Sequence, residues 1–167
     1  MPNERLQGIR DTLSGTKSAA PPGDKLTGQG GWTEVDVSPL YTDDDPARAV
    51  QQLEDTLAKY SDLTAYISTG AFTQWNPDAY RNAVKGVKDK LDRKELILVV
   101  ADTLPVQMQL LKEGFSHGQV GQRPFEMGYK AMQFCYEMVT EQKNPADPTF
   151  TGLDVCTPET ADTCIGS

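Results

Sequence analysis

Hydrophobic side chains recur along this chain in two alternating rhythms. Leu6, Ile9 and Leu13 fall on one face of a helix, which the spacing places from Asn3 to about Ser14. The stretch from Gly15 to Gly31 is rich in Gly, Pro, Ser and Thr and reads as a long loop. In "WTEVDVSPLY", Val35 and Val37 alternate with Glu34 and Asp36, the period of a strand that Pro39 cuts short. The pattern turns helical again through Ala49, Val50, Leu53, Leu57 and Tyr60, with Asp45 as the N-cap and Pro46 in the first turn. "LTAYISTG" follows as a strand, "NPDAYRNAVKGV" as a helix capped by Asn76, and "ELILVVADT" as a nearly continuous apolar run of the kind buried on both faces in parallel sheets. "LPVQMQLLKEG" predicts a helix ending at Gly114, "GQVG" a short strand, and Pro124 opens a helix reaching about Thr140. Helices alternating with short strands predict an α/β fold with a parallel sheet and right-handed crossovers. Ligands of such sheets bind outside the carboxyl ends of the strands. The predicted exits are Tyr41 to Asp45, Thr69 to Phe72, Asp102-Thr103 and Gln122-Arg123.

Composition narrows the partners. The 167 residues suffice for one ordinary domain or a small two-lobed one. With 24 acidic against 16 basic residues the formal net charge is -8, so a phosphate backbone would be repelled, and no nucleic-acid partner is expected. No apolar run approaches the roughly 18 residues that would span a bilayer. Met1-Pro2-Asn3-Glu4-Arg5 lacks the charged-then-apolar pattern of a secretory signal, which leaves open a cytoplasmic chain, a mature exported one or a piece of a longer one. Cys156 and Cys164 lie close together in a Thr/Pro/Asp-rich tail, where a disulfide would close a small loop; two exposed thiols are the alternative. The expectation is a bonded pair, which points to an oxidising compartment. Cys135, inside a helical pattern, is expected to be a small buried hydrophobe.

The exits carry the candidate chemistry. Asp102 ends the most apolar strand, where a carboxylate needs donors: the hydroxyls of a ligand, or the N-terminus of the next helix that Asp102 or Thr103 would cap. Gln122 offers a donor and an acceptor without charge, suited to a hydroxyl, and equally to an exposed turn. Asp43-Asp44-Asp45 lacks the ligand spacing and turn glycine of a calcium loop and reads as capping and dipole stabilisation. Phe72 and Trp75 could wall a ring's carbon face, or belong to the core. The single histidine, His117, sits in a Ser-His-Gly turn and reads as a solvated loop residue. Glycine-rich phosphate loops of Walker or Rossmann spacing are missing, and Cys135 has no base near it in sequence. The chain is expected to be no enzyme and to use no cofactor or metal.

"NERLQGIRDTL", "LILVVADTLPVQMQLLKEG" and "GQVGQRPFEMGYKAM" occur in an order and spacing that resemble the type I periplasmic sugar-binding proteins of ABC transporters, the ribose-binding-protein-like group. The resemblance runs from Asn3 to about Val155. It implies a three-layer parallel-sheet sandwich in which Arg5, Asp102 and Gln122 are polar ligand contacts, with Asp44 and Gly70 at two further ligand-facing places. Where the family usually carries Asn-Asp at the second exit, this chain has "TGAF", making Phe72 or Trp75 replacements for lost polar contacts. The loop from Gly15 to Gly31 is also longer than in compact relatives. By the same resemblance, residues 1–123 form a C-terminal ligand-binding lobe, 124–148 a helical excursion that packs on a first lobe not contained in this chain, and 149–167 a return segment and tail. The implied function is solute binding for an ABC permease in the periplasm, with a sugar or polyol as ligand. A first lobe or a second copy of the chain would partner the excursion. Two alternatives of other classes are the effector-binding core of a sugar-responsive transcription repressor and a flavodoxin-like enzyme, the latter disfavoured by the missing phosphate loop.

Overall fold

The computed structural model describes residues 2–165. Helix α1 (Pro2–Ser14) leads through a long irregular segment to α2 (Pro46–Lys59) and strand β1 (Ala65–Ser68). Then come α3 (Pro77–Val84), α4 (Lys88–Asp92), β2 (Ile97–Ala101), α5 (Pro105–Lys112), β3 (Gly118–Gln122), α6 (Pro124–Thr140) and β4 (Leu153–Cys156). The sheet order is β1-β2-β3-β4, with β1, β2 and β3 parallel and β4 antiparallel beside β3. The fold is an α/β sandwich with its helices layered on this sheet, and β4 makes the sheet mixed at one edge.

Capping fixes the helix starts. Asp45 accepts from the backbone N–H groups of Ala47 (2.8 Å) and Arg48 (3.2 Å), and Asn76 from that of Ala79 (3.1 Å). Each cap is followed by a proline whose missing N–H costs nothing at that position. On one face of the sheet Leu98 and Val100 of β2 are buried, and Leu53, Tyr80, Val84, Leu91, Leu96 and Leu110 close around Leu98. The Tyr80 hydroxyl, carried into this core, donates to Phe115 O at 2.7 Å. A second cluster joins Met108 and Leu111 of α5 to Cys156, Ala161 and Cys164. Cys156 and Cys164 are disulfide-bonded, with Cα atoms 5.3 Å apart. The opposite face, where Ile67, Val99, Val120 and Val155 share one side of the pleat, is covered less completely, and Ile67 and Val155 are exposed. On that side Leu6, Ile9 and Leu13 of α1 stand across a cleft from Ala65 and Ile67.

Four expectations need correction. No strand forms at "WTEVDVSPLY": Thr33 makes one antiparallel bridge with Thr27, and the rest turns. The cause is Glu34, whose carboxylate accepts from Arg10 Nε (2.7 Å) and Nη2 (2.8 Å), Leu26 N (3.0 Å) and Ser38 Oγ (2.7 Å), so polar contacts rather than a sheet ladder set the path. Tyr41 to Asp45 is therefore a loop before α2 and not a strand exit. Cys135 is exposed and free, because α6 holds no buried residue; Phe125 and Val139 keep 84% and 83% of their surface. His117 is no solvated loop residue, since its Nδ1 accepts from Leu98 N (3.1 Å) and its Nε2 meets Leu91 O (3.0 Å). The 149–167 segment, for its part, adds β4 to the sheet, where Asp154, 3% exposed, accepts from Arg123 Nε at 2.8 Å beside the exit of β3.

Candidate ligand site

A cleft of about 840 Å³ opens at the carboxyl end of the sheet, between α1, the 26–44 segment and the exits of β1, β2 and β3. All six residues singled out for ligand contact line it: Arg5, Asp44, Gly70, Phe72, Asp102 and Gln122. They come from five separated stretches of chain: parallel strand order brings Gly70, Phe72, Asp102 and Gln122 to one end of the sheet, Arg5 reaches in from α1 and Asp44 from the loop before α2.

Asp102 and Gln122 stand at neighbouring strand ends. Val120 pairs with Ala101, and the next residues reach the rim together, where Gln122 Nε2 donates to Asp102 Oδ1 at 3.0 Å. Asp102 has φ 72°, in the left-handed region, while its N–H still donates to Val120 O at 2.8 Å. Aspartate is among the few side chains tolerated there. Asp102 is therefore not the side-chain cap of α5: that helix begins after Leu104, whose backbone N–H donates to Gln107 Oε1 at 3.0 Å.

Arg5 reaches from the first turns of α1 across the cleft, where Nη1 donates to Thr69 O at 2.7 Å and ties α1 to the exit of β1. The turn after β1 is closed by Ser68 Oγ donating to Gly70 O at 2.8 Å. A Cβ at Gly70 would lie 3.2 Å from the Phe72 ring, so glycine lets that ring lie against the turn. Phe72 and Trp75 face each other with centroids 4.9 Å apart and planes tilted by 51°. Trp32 and Tyr41 also line the cleft and are partly solvent-facing. These four aromatics give an apolar surface that can lie against the C–H faces of a ring, and the charged and amide groups opposite can hydrogen-bond its hydroxyls.

Asp43 and Asp44 both adopt left-handed backbone, φ 50° and 58°. Asp43 pairs with Arg48, Asp45 caps α2, and Asp44 is left exposed at the mouth of the cleft. Among the described residues no cluster of His, Cys, Asp or Glu is arranged to hold a metal.

The wall formed by the 26–44 segment is held by the Arg10–Glu34 pair. Arg10, 4% exposed, also donates to Gly23 O at 2.9 Å, fastening the long loop to α1. Burial alone would raise the Glu34 carboxyl; hydrogen bonds from Arg10, Ser38 and Leu26 overcome it and hold the group down to about 2. The Tyr66 phenol, half-buried against the Leu98 core on the other face of the sheet, is pushed up to about 12 by desolvation. Trp32 and the Arg10–Glu34 clasp carry no signature of a binding wall in the sequence, and Tyr41 stands there only as the start of an expected strand exit.

Among curated proteins none matches the chain. Solved structures do. A glucose-galactose binding protein from Geobacillus stearothermophilus is 24% identical, with a TM-score of 0.58 over 71% of this chain and 40% of its own. An ABC transporter solute binding protein from Agrobacterium vitis, bound with α-D-tagatopyranose, is 22% identical, with a TM-score of 0.62 over 74% of this chain and 39% of its own. A periplasmic ribose ABC transporter protein from Conexibacter woesei is 18% identical, with a TM-score of 0.60 over 74% and 40%. At such identities the likeness speaks for the fold alone, and the chain spans less than half the length of each of these structures. By sequence, residues 2–143 match the family described as periplasmic binding protein domain. The chain belongs to the periplasmic binding protein domain family.

Proposed function

We propose that this chain is a non-enzymatic solute-binding lobe of an ABC transporter, holding a neutral sugar or polyol in the cleft at the strand exits and serving a membrane permease. The observation that carries the reading is the Asp102–Gln122 pair: a carboxylate and an amide from adjacent strand ends, 3.0 Å apart on the rim of a cleft whose other edge is aromatic. A sugar hydroxyl donates to the carboxylate and accepts from the amide, while the C–H face of the ring covers Phe72 or Trp75. Arg5, Asp44 and Gly70 are assigned to the same site by their place on its lining. The disulfide and the family support the periplasm as the compartment.

The reading includes a second surface. The exposed stripe of Phe125, Tyr129, Met132, Tyr136 and Val139 along α6 supports a partner there, either another lobe of the binding protein or a second copy of the chain. With residues 1–123 as the ligand lobe, 124–148 as the excursion and 149–167 as the return, the cleft is one wall of a site that closes between two bodies. The lobe alone should then bind weakly, at about millimolar Kd.

The test is titration calorimetry with D-galactose, D-ribose and D-tagatose on the wild-type chain and on Asp102→Ala. One sugar should bind, and loss of the charge-assisted hydrogen bond should weaken it about tenfold or more while the fold persists. Equal binding by the variant would remove Asp102 from the site.

A further inference from the structure

Behind the rim, outside the cleft lining, three glutamines are wholly buried: Gln74, Gln107 and Gln119. An amide in a core is costly unless both of its ends are engaged, so an apolar side chain would pack there at lower cost. Gln107 engages both ends, and it does so on either side of Asp102. Its Oε1 accepts from Leu104 N at 3.0 Å, and its Nε2 donates to Ala101 O at 2.9 Å, its shortest contact, while also facing Gln74 Oε1 (3.1 Å) and Gln119 Oε1 (3.2 Å). One rigid planar group thus bridges the last residue of β2 to the residue before α5, and Asp102 and Thr103 are the two residues inside the bridge. Capping α5 would require the oxygen alone; the nitrogen, shared among Ala101 O and the Gln74 and Gln119 oxygens, makes its shortest bond back to the end of β2.

The opposite side of the same turn is held by contact. Gly121, buried in β3, faces Thr103, and a Cβ there would lie 2.4 Å from Thr103 Oγ1 and 2.7 Å from its Cγ2. The turn is therefore fastened by Gln107 from within and backed by Gly121 from the neighbouring strand. Between them Asp102 keeps a left-handed backbone, φ 72°, uncommon for a residue other than glycine although aspartate tolerates it better than most. The left-handed step aims the Asp102 carboxylate at Gln122.

We infer that Gln107 is a positioning residue for the ligand site, holding the Asp102 turn in its left-handed conformation through the Ala101 O and Leu104 N–H bridge. The inference rests on the proposed role of Asp102, and it adds a residue that touches no ligand.

The experiment joins a ligand-free reading to a binding one. Amide hydrogen exchange followed by NMR on the wild-type chain should show Leu104 N–H protected like the strand amides, because its acceptor is buried. Gln107→Met, similar in volume, should speed exchange at Asp102 and Leu104 about tenfold while leaving Leu98 and Val100 unchanged. In titrations with the sugar that the wild type binds best among D-galactose, D-ribose and D-tagatose, the same variant should lose about tenfold in affinity, and lose nothing further when added to Asp102→Ala. If Gln107→Met does not fold, Gly121→Ala reaches the same turn from the other side and should give the same local loosening. An unprotected Leu104 amide in the wild type, or a Gln107 effect undiminished in the Asp102→Ala background, overturns the inference. A wild type that binds no sugar would instead sink the proposed function, and the exchange pattern would still decide whether Gln107 holds the turn.

Discussion

The two faces of the sheet are built on different terms. Against one, α2, α3 and α5 bury Leu53, Tyr80, Val84, Leu98 and Leu110 nearly completely, and the fold is held there by apolar packing. On the other, α1 stands off across a cleft, held by polar contacts that can be counted singly: Arg5 to Thr69 O, and Arg10 to Glu34. Beyond the cleft, α6 presents no buried residue at all. The packed face is closed by apolar side chains of the chain itself, whereas the open face leaves a cleft and the exposed side chains of α6. Close apolar packing and open surface are thus separated to opposite sides of four strands.

That separation can be broken most severely from the packed face. Leu110→Ala, at a fully buried position, should cost about 3 kcal/mol in denaturant unfolding, by loss of transfer energy plus a residual cavity. Val139→Ala on the exposed α6 should cost less than about 0.5 kcal/mol in dilute solution. Similar costs at the two positions would mean that α6 is packed after all. The disulfide comes next. Its eight-residue separation makes a small loop, so reduction should lower stability by about 2.5 kcal/mol, seen as an earlier denaturation midpoint. Thiol titration of the unfolded, unreduced chain should find Cys135 as the one free thiol; three would show that the tail is not crosslinked.

The polar face has a pH signature of its own. Glu34 is held near 2 in the folded chain, below its ordinary 4.5, so the folded state favours its charged form. The stability this supplies is fully present above about pH 4.5 and is lost as pH falls toward 2. Thermal melts from pH 6 downward should show a decline across that window that is shallower in Glu34→Gln. Parallel declines in the two proteins would place the acid sensitivity elsewhere.

Sequence reading succeeded where local physics decides and failed where distant contacts do. Asp45-Pro46 and Asn76-Pro77 announced their helices because capping involves only neighbouring residues, and the run "LILVV" announced β2 because its burial is written into every position. Reasoning from strand exits reached Asp102, Gln122 and Phe72; Arg5, Asp44 and Gly70 came from family likeness alone. The segment with Val35 and Val37 has strand alternation, yet its course is decided by Arg10, 24 residues away. His117 and the buried glutamines were illegible for the same reason. A polar side chain gives no local hint that backbone groups elsewhere will engage it, as Leu98 N does His117 and as Ala101 O and Leu104 N do Gln107. Cys135 was misjudged because helical periodicity locates an apolar stripe without saying what covers it.

The most direct measurement is a sugar titration followed residue by residue in ¹⁵N-¹H NMR spectra of the wild-type chain, with D-galactose, D-ribose and D-tagatose in turn. Binding at the strand exits predicts saturable shift changes, at about millimolar ligand, gathered on Arg5, Asp44, Gly70, Phe72, Asp102 and Gln122. The packed face around Leu53, Val84 and Leu110 should stay silent. Changes scattered over the packed face, or none with any of the three sugars, would contradict the account.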